Sequence, residues 1–182
     1  KHNNAVIKIK NTNEILELPK IELHCHLDGS LSKSFIQTRL GKAVSDEELS
    51  VTQECKSLVE YLGKFNYPCA CLKDEEGLAE AGYDVLRTMS RENVIYAEIR
   101  FAPLLSVTKS MNTEQVIEAL LKGLKKGKED FGIEYNVIAC AMRNHSEEDN
   151  YQMIKTARNF LGEGVCAADL AGAEAQYPML EF

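Results

Sequence analysis

Long apolar runs are missing from this chain. No stretch of its 182 residues approaches the ~18 consecutive apolar residues that a membrane-spanning helix needs, so no membrane partner is expected. The start, Lys1-His2-Asn3-Asn4 followed by Ala5 to Lys10, is too short and too charged for a signal peptide. An excess of positive charge is also missing. The net charge of −7 argues against a nucleic-acid backbone as partner. There is no tryptophan, no low-complexity segment and no short repeat of fixed period. Histidine is scarce, at four residues, which gives weight to any place where two fall together. What remains is 45% hydrophobic, enough for one sizeable core and short for two domains.

Six cysteines are present: Cys25, Cys55, Cys69, Cys71, Cys140 and Cys166. Cys25, Cys140 and Cys166 sit inside apolar strand-like runs, where a free thiol behaves as a small hydrophobe. Cys69 and Cys71 are too close for an ordinary bridge. Reduced thiols in a cytoplasmic protein are the expectation.

Short apolar runs alternate with longer amphipathic ones. Residues 20–27, 94–102, 133–142 and 165–170 are rich in Ile, Val, Ala or Cys on both faces, as parallel strands covered on both sides are. Helical spacing marks 32–40, 56–65, 74–93, 113–131 and 146–161, with Ser146 as an N-cap and Gly162 as a stop. Pro68 and residues 69–72 interrupt the long connection between the first two strands. Strand and helix in this alternation specify an α/β fold with a parallel sheet. Periodicity alone leaves an open sheet and half of an eight-stranded barrel both standing.

The chemistry-bearing segment is 18–31, with His24, Cys25, His26, Asp28 and Gly29 at its centre. On a strand, residues i and i+2 point the same way, so His24 and His26 share a face and Cys25 takes the other. Two imidazoles side by side at the carboxyl end of a parallel strand suit a metal, and that end is where such sheets place their sites. On the residues alone, a metal pair and a coincidence of two polar residues at a strand end are both open. Elsewhere, Glu75-Glu76 and Glu147-Glu148-Asp149 suit the first turns of helices. Lys122, Lys125, Lys126 and Lys128 suit a solvated helix face, and His145 a solvated loop.

Leu18-Pro19-Lys20-Ile21-Glu22-Leu23-His24-Cys25-His26-Leu27-Asp28-Gly29-Ser30-Leu31 resembles the opening signature of adenosine deaminases in the amidohydrolase superfamily. Three later stretches resemble the same family in the same order: Tyr96 to Pro103, Ile133 to Arg143, and Asp169-Leu170-Ala171-Gly172-Ala173-Glu174. Ser57 to Phe65 is similar to the helix that caps that family's pocket.

The resemblance implies the first four β/α units of a TIM-like (β/α) barrel, with 1–17 a tail and 32–93 a helical insertion forming the pocket cap. It implies hydrolytic deamination of adenosine or deoxyadenosine to inosine or deoxyinosine plus ammonia, by a zinc-activated hydroxide. By position, His24 and His26 would be zinc ligands. Asp28 would hydrogen-bond a ribose hydroxyl, and the Gly172 amide would face a purine ring nitrogen. Leu58, Tyr61, Leu62 and Phe65 would line the apolar side of the pocket. The same spacing also suits any core-facing helix, Asp28 also suits a turn, and Gly172 also suits a backbone requirement. Asp169 would tie down loop amides without a catalytic role.

The family's third histidine ligand with its proton-donating glutamate, its later catalytic histidine and its closing aspartates belong to strands five, six and eight. No catalytic residue is therefore expected in these 182 residues, and zinc on two histidines is expected to be weak or absent. Deamination by this chain alone is not expected. Ala173 stands where the family motif has Asp. Two other readings are carried: a TatD-type metal-dependent nuclease, and a non-catalytic half-barrel that self-associates through uncovered sheet edges.

Overall fold

A computed structural model of the chain describes residues 9, 11–50 and 66–178. Four strands, β1 (Lys20–His26), β2 (Val94–Phe101), β3 (Glu134–Met142) and β4 (Val165–Ala171), form one sheet in the order β1-β2-β3-β4. Every neighbouring pair is parallel. Each strand end lies within a residue of where apolar periodicity puts it.

Among the described residues the α-helices are α1 (Thr12–Glu17), α2 (Lys33–Leu40), α3 (Asp46–Leu49), α4 (Asn66–Ala70), α5 (Glu75–Ser90), α6 (Thr113–Phe131) and α7 (Glu147–Ala157). Their starts are written in the sequence. Ser32, Ser45, Asp74, Asn112 and Ser146 each accept the backbone N–H three residues on, satisfying donors that have no partner within the helix. The acids at 75–76 and 147–149 occupy first turns, where the helix dipole favours them.

Two short helices depart from the sequence expectation. Helix α1 lies in what the resemblance marks as a tail; it buries none of its residues, so it leaves no apolar stripe to read. Helix α4 contains Pro68, which acts as a break in the sequence reading. Proline is tolerated in a first turn, because the N–H it lacks would have no partner there. The amphipathic segment 56–65 lies outside the described residues.

The apolar core lies between one face of the sheet and the helices. Ala97 and Ile99 of β2, and Val137 and Ala139 of β3, are fully buried against Leu78, Ala81 and Val85 of α5 and Val116, Leu120 and Leu124 of α6. Burying each of the larger side chains stabilises the fold by about 1.5–3 kcal/mol. Helices α5 and α6 approach closely because glycine faces the neighbouring backbone. A Cβ on Gly123 would sit 1.8 Å from the Ala79 carbonyl oxygen.

Asp84 of α5, buried to 2% exposure, accepts the Ser32 N–H and hydroxyl at 2.8 Å each and pairs with Arg87. It thereby fixes the start of α2, immediately after the β1 turn.

The opposite face of the sheet carries polar side chains next to the buried Ile138 and Cys140 of β3. Tyr96 donates its hydroxyl to Glu98 at 3.0 Å and accepts from Asn136 at 3.0 Å. Arg100 pairs with Asp169 at 2.7 Å. At the sheet edges, Ile21 and Leu23 of β1 are more than half exposed. Cys166 of β4 is exposed as well, which corrects its assignment as a buried small hydrophobe.

Candidate active site

A bulge in β1 shapes the site locally. The register passes from Glu22 opposite Ala97 to Cys25 opposite Ile99, so β1 carries one extra residue. The His24 N–H leaves the ladder and donates to Glu22 Oε1 at 2.8 Å. Bulges re-aim side chains next to functional sites. The outcome agrees with the simple alternation: Cys25 is buried, both histidines are exposed, and their ring centroids lie 5.2 Å apart at a 48° tilt.

A cavity of about 700 Å³ opens at the carboxyl ends of the strands. His26 and Asp28 form one wall, Cys69 and Lys73 a second, and Gly172 and Tyr177 a third. Three of the expected site residues (His26, Asp28 and Gly172) thus meet in one cavity, with His24 beside His26. Leu58, Tyr61, Leu62 and Phe65 lie outside the described residues.

The electrostatics suit a liganding imidazole. Burial holds the His26 pKa below the usual histidine range; His24 and Arg100 add to this, and Asp28 and Asp169 oppose it. A neutral ring is the form that binds a metal. Burial raises the Asp28 carboxyl, while His26, the Asp28 and Gly29 backbone N–H groups and Cys69 favour its anion. Cys69 donates its thiol to Asp28 Oδ2 at 3.8 Å. Burial and then the Asp28 charge push that thiol up to about 11, so it stays a donor. Asp28 thus lies in the turn after β1 and lines the cavity.

Below the cavity, Arg100 reaches from β2 to Asp169 on β4 across β3. Asp169 Oδ1 also accepts the Leu170 N–H at 2.8 Å, an amide within β4 and not one of the loop amides expected of it. His145 departs from expectation: it is half-buried, and its Nδ1 is enclosed without a hydrogen-bond partner among the described residues.

Sequence reasoning did not find Cys69, Lys73, Gln176 or Tyr177 as cavity residues. Their motif-free segments carry no periodic signal, and Lys73 is placed by donating to the Leu105 carbonyl, 32 residues away. Among the described residues, no group of three or more His, Cys, Asp or Glu side chains is arranged to hold a metal. The donors present fit part of a zinc site: two imidazoles on one strand end, one of them biased to its neutral form.

A family model described as adenosine deaminase matches residues 19–182. An adenosine deaminase of Clostridium perfringens is 41% identical over 175 residues, covering 89% of this chain and 52% of the relative. One from Enterococcus faecalis is 38% identical over 177 residues, covering 92% and 52%. The chain thus spans about half the length of the curated relatives it matches. Among solved structures, the Arabidopsis N6-mAMP deaminase superposes with a TM-score of 0.73 at 28% identity, over 92% of this chain and 53% of that one. A Burkholderia ambifaria amidohydrolase with bound zinc gives 0.78 at 19% identity, over 98% and 51%; this likeness establishes the fold alone. The parallel sheet is about half of the TIM-like barrel of these neighbours.

Proposed function

The chain belongs to the adenosine deaminase family, and from that membership we propose that it supplies the first-strand half of a zinc and purine-nucleoside site for hydrolytic deamination. The observation that carries the reading is the cavity at the strand ends, where His26, Asp28 and Gly172 meet with His24 alongside. His24 and His26 are the residues that would hold zinc. Zinc, when bound, supplies the acidification of water that hydrolytic loss of ammonia needs.

Asp28, whose carboxyl pKa is pushed upward by burial while His26, the backbone N–H groups of Asp28 and Gly29 and the Cys69 thiol favour its anion, accepts a ribose hydroxyl. The Gly172 amide faces a purine ring nitrogen, and Leu58, Tyr61, Leu62 and Phe65 close the apolar side. Adenosine and deoxyadenosine are the proposed substrates. Because two histidines leave zinc short of the three or four protein ligands such sites use, the 182 residues alone are proposed to hold zinc weakly and to release no ammonia from adenosine. The free thiols among the described residues support a reducing, cytoplasmic setting.

The test is complementation. The chain is mixed with the second half of the Clostridium perfringens relative, and ammonia release from adenosine is followed with zinc present. Activity that appears in the mixture and is lost in His24→Ala and His26→Ala supports the reading. A silent mixture overturns it, provided the relative's own two halves reconstitute activity. A second reading rests on the exposed Ile21 and Leu23 at the β1 edge, which an antiparallel or edge-to-edge second copy would cover. Light scattering that finds only monomer at high concentration removes it.

A further inference from the structure

The end of β3 is a built platform, and one buried arginine reaches from it under the cavity wall. Asn150 of α7 grips Met142 on both sides, donating to its carbonyl at 2.8 Å and accepting its N–H at 3.1 Å. The next residue, Arg143, is 8% exposed. Its N–H closes the β4 ladder on the Ala171 carbonyl at 2.9 Å. Its side chain then turns to the segment that follows β4: Nη1 donates to the Tyr177 carbonyl at 3.1 Å, and Nη2 lies 3.6 Å from Glu174 Oε1.

That segment is a compact turn. The N–H groups of Gln176 and Tyr177 both reach the Ala173 carbonyl at 3.0 Å. Gly172, at φ +115°, packs over Arg143, with space for a Cβ only 3.5 Å from the arginine backbone and side chain. Gly172, Ala173, Gln176 and Tyr177 all line the cavity.

We propose that Arg143 is the positioning residue of this cavity: its guanidinium fork holds the 172–177 turn against β3 and so sets how tightly the site grips a purine nucleoside. The last clause rests on the nucleoside reading above; the anchoring does not. Two different guanidinium nitrogens serve two different acceptors. A lysine ammonium on a flexible stem lacks that planar fork. Burying a cation is costly unless it is paired, so Arg143 has little freedom to leave its partners while the turn is closed.

The test compares the whole chain with Arg143→Lys and Arg143→Ala by hydrogen exchange of peptides covering 173–178, and by adenosine binding followed through ligand-observed NMR. Local opening sets amide exchange. Arg143→Lys, the variant that retains a charge and most of the volume, is expected to keep the wild-type melting temperature within a few degrees while the Gln176 and Tyr177 amides exchange ~10-fold faster. Adenosine affinity is expected to fall ~10-fold in parallel. Unchanged exchange in both variants overturns the proposal, and so does faster exchange with undiminished adenosine affinity. If the wild-type chain binds no adenosine while the turn still loosens in Arg143→Lys, the nucleoside reading fails and the anchoring stands. If Arg143→Ala does not fold, Arg143→Lys decides alone.

Discussion

The two faces of one four-stranded sheet carry different kinds of residue. On the helix side, β2 and β3 present Ala97, Ile99, Val137 and Ala139, all buried beneath α5 and α6. On the other side the same strands present Tyr96, Glu98, Arg100 and Asn136, paired with one another or with Asp169. A parallel strand alternates its side chains, so each strand contributes to both. The helix side is where the chain's own elements exclude water, and its contribution is stability. The polar side ends at the cavity, and its contribution is chemistry. Substitutions on the two faces should therefore separate folding from binding.

The largest effect is expected under the helix side. In Gly123→Ala the new methyl would lie 1.8 Å from the Ala79 carbonyl oxygen, and backbone cannot yield as a side-chain tip does. Destabilisation of about 3 kcal/mol or more is expected, read from the urea midpoint. A loss under 1 kcal/mol would mean that α5 and α6 are not locked by this contact. Next comes Asp84→Asn. The carboxylate serves Ser32 twice and Arg87 once, and weakening those charge-assisted bonds in a buried position costs about 2 kcal/mol. Its melting should begin at α2, visible as early exchange of amides at 33–40.

Across the sheet the effects shrink. The Arg100–Asp169 pair is partly exposed, with side-chain accessibilities of 14% and 33%, so solvent screens much of its attraction. A double-mutant cycle of Arg100→Met and Asp169→Asn is expected to give a coupling of about 1 kcal/mol. A coupling near 3 kcal/mol would make the polar face a second structural core and erase the contrast.

The same contrast governs what the sequence could tell. Strands β2 and β3 are legible because the residues that they turn to the helices, Ala97, Ile99, Val137 and Ala139, are apolar and buried. The helix starts are legible because capping is local chemistry, as at Asn112 and Ser146. Helix α1 is not legible, since it buries none of its residues and no periodicity results. Cys166 is misjudged because the exposure of an edge strand depends on what lies beside it, which strand composition does not encode. His24 and His26 are found through spacing, and their bulge is not, because an extra residue in β1 only exists relative to β2. The Arg100–Asp169 and Arg143–Tyr177 links join residues 69 and 34 apart in sequence. Such links arise from the register of the folded sheet and leave no local signature.

The smallest effect on stability is expected at the residues that matter most to the chemistry. His24 and His26 are exposed at the end of β1, with ring centroids 5.2 Å apart, and are not part of the apolar core. His24→Ala and His26→Ala should each change unfolding free energy by no more than about 0.5 kcal/mol, as surface substitutions do. Neither variant should respond to zinc. For the unsubstituted chain, zinc at ten times its dissociation constant should add about 1.4 kcal/mol, because only the folded state presents both rings together. Equal stabilisation of the chain and both variants by zinc would place the metal elsewhere. A large loss of stability in either variant, without zinc, would show the polar face holding the fold together. The division of labour between the two faces stands only if this pair is nearly silent in folding and decisive in binding.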